Sequence, residues 1–251
     1  MLGGDLRALL LAAGLGTRLR PITDSIPKCL VPIGGRPLLD YWLETLAAAE
    51  IGRILVNTHH HAAQVDEFVH NSRYAHLVGT VHEQELLGTG GTLLRNRKFF
   101  RDGPVLLIHA DNLCICDFPA FVRSHSQRPA GTDMTMMTFT ASEPETCGVV
   151  EIDTNGVVHA MHEKVKHPPG NLANAAVYIV EPSVFDFLAS LGKSYIDFSL
   201  NVLPHYMGRI QAWHNGGFHM DIGTLQNLQR AQEYVLAHAT GRMRSITSGS
   251  D

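Results

Sequence analysis

One segment near the amino terminus constrains the fold more than any other: residues Leu9–Lys28, which read LLLAAGLGTRLRPITDSIPK. The apolar run at its start predicts a buried β-strand, because such runs are typical of parallel sheets covered on both faces. The strand would end in a loop with two glycines, which let the backbone approach a bulky ligand. Amides of such a loop can bind phosphate oxygens, and Arg18 and Lys28 add two separate cations. The segment therefore predicts an α/β sheet with a triphosphate site at its edge.

Two better-known phosphate-binding loops do not fit this segment. A P-loop requires Gly-Lys-Ser/Thr after a four-residue spacer, and the lysine is missing here. The dinucleotide fingerprint G-x-G-x-x-G starts at Gly14 and Gly16 but has Leu19 in place of its third glycine. A dinucleotide-binding oxidoreductase is therefore disfavoured. Two glycines alone would also suit a tight turn that binds no ligand.

Size and composition set the broad class. The chain has 251 residues, of which 45% are hydrophobic and 18% charged, enough for one large α/β domain or two small ones. A net charge of -4 argues against general affinity for nucleic acid. Four cysteines form no C-x-x-C motif, no secretory signal is evident and no apolar run reaches membrane-spanning length, so we expect a cytoplasmic protein. We expect one domain over residues 1–240 and a mobile tail over 241–251.

The order of predicted strands and helices indicates the topology. In the first half they alternate, which is typical of a largely parallel sheet with helices on both faces. The predicted strands there are Arg7–Ala12, Arg53–Asn57, Val78–His82, Pro104–His109 and Met134–Phe139. The predicted helices are Leu38–Ala49, Ala62–Asn71, Gly90–Phe99 and Asp117–His125.

The second half has a different rhythm. The predicted strands Gly148–Ile152, Val157–Met161 and Leu172–Val180 are separated by short turns. Short turns favour antiparallel hairpins, so we expect a smaller antiparallel or mixed extension of the sheet. A last helix is predicted over Thr224–Thr240, with Thr224 as its N-cap.

Two aspartates occupy positions that suit a metal ion. Asp111 follows the predicted strand Pro104–His109, and the carboxyl ends of parallel strands are where α/β sheets bind ligands. Mg²⁺ prefers oxygen and usually combines one or two carboxylates with substrate phosphates. A cap or turn explains Asp111 equally well, and Asp221 by itself fits a turn before the last helix.

The segment Leu9–Lys28 resembles the signature of the sugar-1-phosphate nucleotidylyltransferases, L-x-A-G-x-G-T-R-L-x-P-x-T followed by P-K, with Gly35-Arg36-Pro37-Leu38 as a second block. The resemblance continues to the last helix and implies a Rossmann-like catalytic domain. The family reaction joins a nucleoside triphosphate and a sugar 1-phosphate into a nucleotide sugar and releases pyrophosphate.

The resemblance also implies roles for particular residues. Arg18 and Lys28 would act on the triphosphate during catalysis, and Asp111 and Asp221 would hold Mg²⁺. The residues expected to bind the nucleotide are Ala12, Ala13, Gly14, Gly16, Thr17, Glu83, Gly88 and Thr89. The residues expected to bind the sugar phosphate are Asp111, Gly148, Glu163, Lys164 and Asn174.

Three positions depart from the sugar-binding motifs of that family. Val165 stands where a proline usually follows the family's E-K pair, which is Glu163-Lys164 here. Ala176 replaces the glycine of the family's N-A-G-I-Y motif, which begins at Asn174 here. His219 occupies a position that is often aromatic, just before Asp221.

The loop from Glu83 to Gly91 bears on the choice of base. A carboxylate only accepts hydrogen bonds, and guanine offers two adjacent donors, whereas uracil and thymine offer one imide N–H between two carbonyls. Glu83 therefore favours GTP, with mannose 1-phosphate or a manno-heptose 1-phosphate as the acceptor. A uridylyl- or thymidylyltransferase is the alternative, and a catalytically silent regulatory homologue is another, although none of the four key charged residues is missing.

Other metal-like patterns have simpler explanations. His59-His60-His61 cannot present three adjacent side chains to one ion from a helix or strand. Cys114 and Cys116 suit alternate positions on or just after a strand. The sequence leaves a monomer and a homo-oligomer both open.

Overall fold

The structure is a computed structural model that describes residues 6–247 and the side chains of residues 6–238. Its strands are β1 (Arg7–Leu11), β2 (Pro32–Ile33), β3 (Arg36–Pro37), β4 (Arg53–Thr58), β5 (Val78–His82), β6 (Val105–His109), β7 (Asn112–Ile115), β8 (Met134–Thr140), β9 (Gly148–Ile152), β10 (Val157–Glu163), β11 (Leu172–Val180), β12 (Ile210–His214) and β13 (Phe218–Asp221). Its α-helices are α1 (Leu38–Ala48), α2 (Ala62–Asn71), α3 (Gly88–Arg95), α4 (Arg97–Phe100), α5 (Phe118–Ser126), α6 (Ser183–Ser190), α7 (Phe198–Asn201) and α8 (Leu225–Thr247).

A nine-stranded sheet forms the centre of the fold, in the order β5-β4-β1-β6-β11-β8-β12-β10-β9. Strand β1 pairs in parallel with β4 and β6, and β4 pairs in parallel with β5. This half has the Rossmann-like arrangement that the alternating elements predict. Strands β10 and β11 run against the other seven, so most strands share one direction.

The second half of the sheet closes on itself. Strand β9 pairs with β10 and also meets β11, where Val149 lies opposite Ala173. Strands β11, β8, β12, β10 and β9 therefore form a small ring. The other end of β11, Val177–Val180, pairs with β6. This ring is the predicted mixed extension, and β11 joins it to the parallel half.

Alternate residues of β1 supply both layers of the core. Ala8 and Leu10 pack on one face with Trp42 of α1, and Leu9 packs on the other face with Tyr178 of β11. Side chains of successive strand residues point to opposite faces, so an unbroken apolar run is what a sheet covered on both sides requires.

A separate two-stranded sheet brings the segment before α8 close to the carboxyl end of β6. Strand β13 pairs with β7, and Asp221 lies opposite Asn112. The backbone N–H of Ile222 also donates to the carbonyl of Asp111 at 2.9 Å. This pairing draws together two aspartates that lie 110 positions apart in the sequence.

The sequence predicted most elements of the described chain within one or two residues, but it missed several. It did not predict the strands β2, β3, β7, β12 and β13, nor the short helices α6 and α7. The predicted helix Gly90–Phe99 is in fact two helices, α3 and α4.

At the carboxyl end, Thr224 caps α8 as expected, since its Oγ1 accepts from the N–H of Asn227 at 3.2 Å. The helix continues to Thr247, beyond the predicted end at Thr240. The expected mobile tail, 241–251, therefore begins inside α8, and residues 248–251 lie outside the described range. In the described part of the chain, no helix has the length and apolar character needed to cross a membrane.

Candidate active site

A cleft opens at the carboxyl ends of β1, β4 and β6, the sheet edge where α/β folds bind ligands. It is lined by Leu11, Ala12, Ala13, Gly14, Lys28, Cys29, Asn57, Glu83, Leu86, Gly88, Thr89, Thr92, His109, Asp111 and Tyr195. Most residues predicted to bind the nucleotide therefore border one space, together with Lys28 and Asp111.

Lys28 joins the two predicted metal-binding carboxylates. Its Nζ lies 2.7 Å from Oδ2 of Asp111 and 2.9 Å from Oδ1 of Asp221. The lysine side chain is 8% exposed, whereas the two aspartates are 37% and 44% exposed. The cation is thus fixed inside the protein, while both carboxylates remain more than a third exposed, and Asp111 also lines the cleft.

The charges of this cluster stabilise one another. Burial alone would lower the pKa of Lys28, but the carboxylates of Asp111 and Asp221 outweigh burial and raise it. Burial alone would raise the pKa of Asp111, but Lys28 outweighs it and the pKa is lowered. Lys28 is therefore charged and Asp111 ionised at neutral pH.

Arg18 adds a second cation on the solvent side. Its Nη2 lies 3.4 Å from Oδ2 of Asp221, and its side chain is 67% exposed. Gly223 leaves room for this pair, because a Cβ there would lie 2.6 Å from Asp221 Oδ2 and 2.7 Å from Arg18 Nη2. This glycine belongs to the string Asp221-Ile222-Gly223-Thr224, and the reason for it emerges only from the structure.

The glycine loop after β1 contains two glycines with different roles. Gly16 has φ +63°, and a Cβ there would lie 2.8 Å from the methyl group of Thr23. The hydroxyl of Thr23 also donates to the Gly16 carbonyl at 2.7 Å. Gly14 has no atom within 4 Å of a Cβ position, so it borders open space in the cleft. Thr17 then begins the short 3₁₀ turn Thr17–Leu19 that carries Arg18.

Glu83 is the centre of a buried hydrogen-bond network. Its Oε1 accepts from Thr92 Oγ1 at 2.5 Å and from Asn57 Nδ2 at 3.2 Å, and its Oε2 accepts from the N–H of Leu87 at 3.3 Å. Asn57 Oδ1 in turn accepts from the N–H of Ala12 at 2.7 Å. The network ties the glycine loop to the loop after β5. Sequence reasoning missed Asn57 and Thr92, although Asn57 follows the apolar part of β4 near its carboxyl end.

Gly88 and Thr89 contact a segment that sequence reasoning also missed. Gly88 has φ +74°, and a Cβ there would lie 2.5 Å from the carbonyl oxygen of Ile196. Thr89 Oγ1 accepts from the N–H of Phe198 at 2.7 Å. Tyr195, 54% exposed, reaches the cleft from the same segment. Gly88 and Thr89 thus border the cleft and anchor this segment at the same time.

The predicted sugar-binding residues Gly148 and Glu163 lie opposite each other on β9 and β10. A Cβ at Gly148 would lie 2.6 Å from Glu163 Oε2, so the glycine makes room for that carboxylate. Lys164 Nζ lies 3.5 Å from Glu163 Oε1, and its side chain is 67% exposed. Its backbone has φ +49°.

Asn174 spans an irregularity in β11. Its Oδ1 accepts from the N–H of Ala176 at 2.9 Å, and its Nδ2 donates to the hydroxyl of Tyr178 at 2.6 Å. Ala176 has φ +55°, a conformation that favours glycine. This explains why the related motif carries glycine at that position.

The thiol of Cys147 responds to the charge of Asp221 as well as to charges of the sugar-side residues. Burial is the main cause that raises the pKa of its thiol, and the charges of Asp221 and Glu163 raise it further, whereas Lys164 lowers it. One side chain therefore experiences the field of residues from both predicted subsites.

The two aspartates fit a divalent metal in part. Both carboxylates reach one cation, as their contacts with Lys28 demonstrate, and oxygen donors suit Mg²⁺. In the described part of the chain, no group of three or more His, Cys, Asp or Glu side chains is placed to hold a metal. Asp111 and Asp221 would supply two carboxylates, and waters or substrate phosphates would complete the coordination, as is usual for Mg²⁺.

Comparison with known proteins identifies the family. The model of the nucleotidyl transferase family matches residues 7–238, so the chain belongs to that family. Enzymes of this family generally depend on a divalent metal.

Its relatives differ in base and sugar. Mannose-1-phosphate guanylyltransferase catalytic subunit beta of Drosophila melanogaster is 32% identical over 88% of this chain and 60% of its own length. Glucose-1-phosphate thymidylyltransferase of Streptomyces griseus is 32% identical over 76% of this chain and 53% of its own length. The chain thus spans just over half the length of these curated relatives.

Solved structures support the fold. HddC from Yersinia pseudotuberculosis, solved in complex with GMP-PN, has a TM-score of 0.77 at 26% identity and covers 91% of this chain and 99% of its own. A putative glucose-1-phosphate thymidylyltransferase from Bacillus anthracis has a TM-score of 0.82 at 23% identity, covering 91% and 94%.

Proposed function

We propose that this protein transfers a guanylyl group from GTP to a sugar 1-phosphate of the mannose or manno-heptose type and releases pyrophosphate. One observation carries the reaction class: Lys28 bridges Asp111 and Asp221 beside the glycine-loop cleft. A fixed cation and two carboxylates at one point can neutralise a triphosphate, directly and through a metal.

In the proposed reaction, a phosphate oxygen of the sugar 1-phosphate attacks the α-phosphorus in line, and pyrophosphate leaves. Lys28 neutralises charge near the α-phosphate, and the exposed Arg18 binds the leaving phosphates. Lys164 holds the phosphate of the sugar, while Glu163 and Asn174 bind its hydroxyls. The protein positions charges and needs no proton transfer of its own.

Asp111 and Asp221 are the residues that would hold Mg²⁺ in this site. The bound ion would supply Lewis-acid stabilisation of charge on the α-phosphate. The carboxylates must then share their contacts between Lys28 and the metal, and their partial exposure allows this.

Glu83 supports guanine as the base. It lines the cleft, and Oε2 accepts only one weak hydrogen bond at 3.3 Å from the described residues, so that oxygen keeps capacity for donors of a ligand. The guanylyltransferase relatives and the structure of HddC with GMP-PN are consistent with this choice. The thymidylyl- and uridylyltransferase relatives support the alternative.

The decisive experiment is a pyrophosphate-release assay with five nucleoside triphosphates against a panel of sugar 1-phosphates. We expect the highest kcat/KM for GTP with a manno-configured sugar phosphate. A preference for UTP or dTTP would overturn the guanine assignment and leave the reaction class intact. No turnover with any pair would favour the silent homologue.

Glu83→Gln tests the base assignment within the same assay. The amide would place a donor against a donor of guanine, and leaving buried polar groups unpaired costs about 1–3 kcal/mol. We expect kcat/KM for GTP to fall about tenfold, while that for UTP holds or rises. Because Glu83 also accepts hydrogen bonds from Thr92 and Asn57, a structural defect would lower kcat/KM for all nucleotides equally. Equal losses would therefore refute its role in base selection.

A further inference from the structure

A second cleft lies at the opposite edge of the parallel sheet, where β1, β4 and β6 begin. It has a volume of about 530 Å³ and is lined by Arg7, Gly52, Arg53, Phe100, Arg101, Asp102 and Gly103. Three of these residues are arginines, and one is an acid. The cleft is therefore basic, on a chain whose net charge is -4.

Two of the arginines are held side by side by the sheet. Arg7 and Arg53 are in register on the parallel strands β1 and β4, so their side chains leave the same face. Like charges directly opposite each other on neighbouring strands are destabilising. Arg7 is oriented by Phe99, since its Nη1 donates to the Phe99 carbonyl and its guanidinium lies 5.5 Å from that ring centroid.

Arg101 approaches the same cleft from the loop between α4 and β6, with φ +58°. Neither Arg53 nor Arg101 has a carboxylate within 4.0 Å among the described residues, and the neighbouring Asp102 forms no such pair there either. Two guanidiniums that lack a counter-charge in the described structure thus border a cleft with a third.

We infer that this basic cleft binds a compact anion that carries a phosphate or diphosphate group. Guanidinium groups match phosphate geometry with paired N–H donors, and several cations around one space favour a multiply charged ligand. Gly52 and Gly103 leave the backbone at the rim without side chains. The site is distinct from the candidate active site, because the same strands carry the two sites at opposite ends. The five residue steps from Arg7 to Ala12 span about 16 Å.

Titration with inorganic pyrophosphate, followed by amide NMR of the labelled protein, tests this inference. The amides of Gly52 and Gly103 report the basic cleft, and those of Gly14 and Gly16 report the active site. We expect saturable shifts at Gly52 and Gly103 that weaken at high salt, because exposed charges are screened. A parallel titration with a nucleoside diphosphate distinguishes a free diphosphate from a nucleotide as the preferred ligand.

Arg53→Gln and Arg101→Gln should each weaken the response of Gly52 and Gly103 about fivefold to tenfold, since each removes one charge-assisted donor. Arg123→Gln is the matched control, because it removes one exposed arginine on α5 and should change nothing at the cleft. An unchanged response of Gly14 and Gly16 shows that each variant is folded. Absence of shifts at Gly52 and Gly103, or equal affinity in the arginine variants and the wild type, would overturn the inference.

Discussion

Replacing Lys28 by alanine probes the most constrained charge in the molecule. The ammonium is 2.7 Å from one carboxylate and 2.9 Å from another, and the side chain is 8% exposed. Lys28→Ala removes the cation and leaves Asp111 and Asp221 facing each other. The substitution should therefore lower turnover and also change how the two carboxylates bind other cations.

Coulomb's law gives the scale of a charge contact at this distance. Each contact at about 2.8 Å contributes about 6 kcal/mol at an effective dielectric constant of about 20, and about 1.5 kcal/mol in bulk water. The aspartates are more than a third exposed, so the true value lies between these limits. Losing one preorganised electrostatic donor costs about 10²–10³ in kcat, or about 2.7–4 kcal/mol, which falls inside that interval.

Two measurements check this reasoning. Pyrophosphate release should show the loss in kcat for Lys28→Ala, with the exposed Lys98→Ala as the matched control that retains activity. Isothermal titration with Mg²⁺ and no nucleotide should show tighter binding to Lys28→Ala than to the wild type, because the competing ammonium is gone. Near wild-type turnover in a folded variant would refute the catalytic role, and unchanged Mg²⁺ affinity would refute the shared carboxylates.

Three further predictions concern the metal, the loops and the core. Asp111→Asn and Asp221→Asn should each abolish most pyrophosphate release, and the double variant should be little worse, whereas multiplicative losses would assign them to separate sites. Gly88→Ala should lower the free energy of unfolding in urea by about 2 kcal/mol or more, because a Cβ would lie 2.5 Å from a backbone carbonyl at positive φ. Burial, aided by a neighbouring arginine, lowers the pKa of His125 to about 3, so the unfolded chain binds more protons below pH 6.5 and stability falls as pH drops. Between pH 7 and pH 5 the free energy of unfolding should fall by about 2 kcal/mol for this reason. His125→Gln should remove this dependence from the pH profile of urea unfolding, and the exposed His76→Gln should leave it in place.

The parallel half of the fold could be predicted because its signals are local. An unbroken apolar run predicts strand β1, and α2 and β5 begin and end where the sequence pattern predicts. Alternation of such elements leaves few topologies open. The N-cap at Thr224 is equally local, since one hydroxyl three residues before a backbone N–H determines it.

The short strands could not be predicted because their stability is not local. Strands β7 and β13 have four residues each, and each exists only because the other pairs with it. Nothing in the string Phe218–Asp221 indicates a partner about a hundred residues earlier. The meeting of Asp111 and Asp221 could therefore be expected from family resemblance, but the residues alone did not supply it.

The glycines illustrate how a motif can be right while its physical reasons stay hidden. Sequence reasoning assigned Gly14 and Gly16 to one phosphate loop, yet only Gly14 borders open space, and Gly16 is required by Thr23 and a positive φ. Gly223 received no role, although a Cβ there would crowd the contact between Arg18 and Asp221. A glycine in a motif indicates that a larger side chain does not fit at that position. Whether a ligand or another part of the chain occupies the space depends on neighbours distant in sequence. A structure is therefore needed to separate the glycines that face substrate from those that hold the site together.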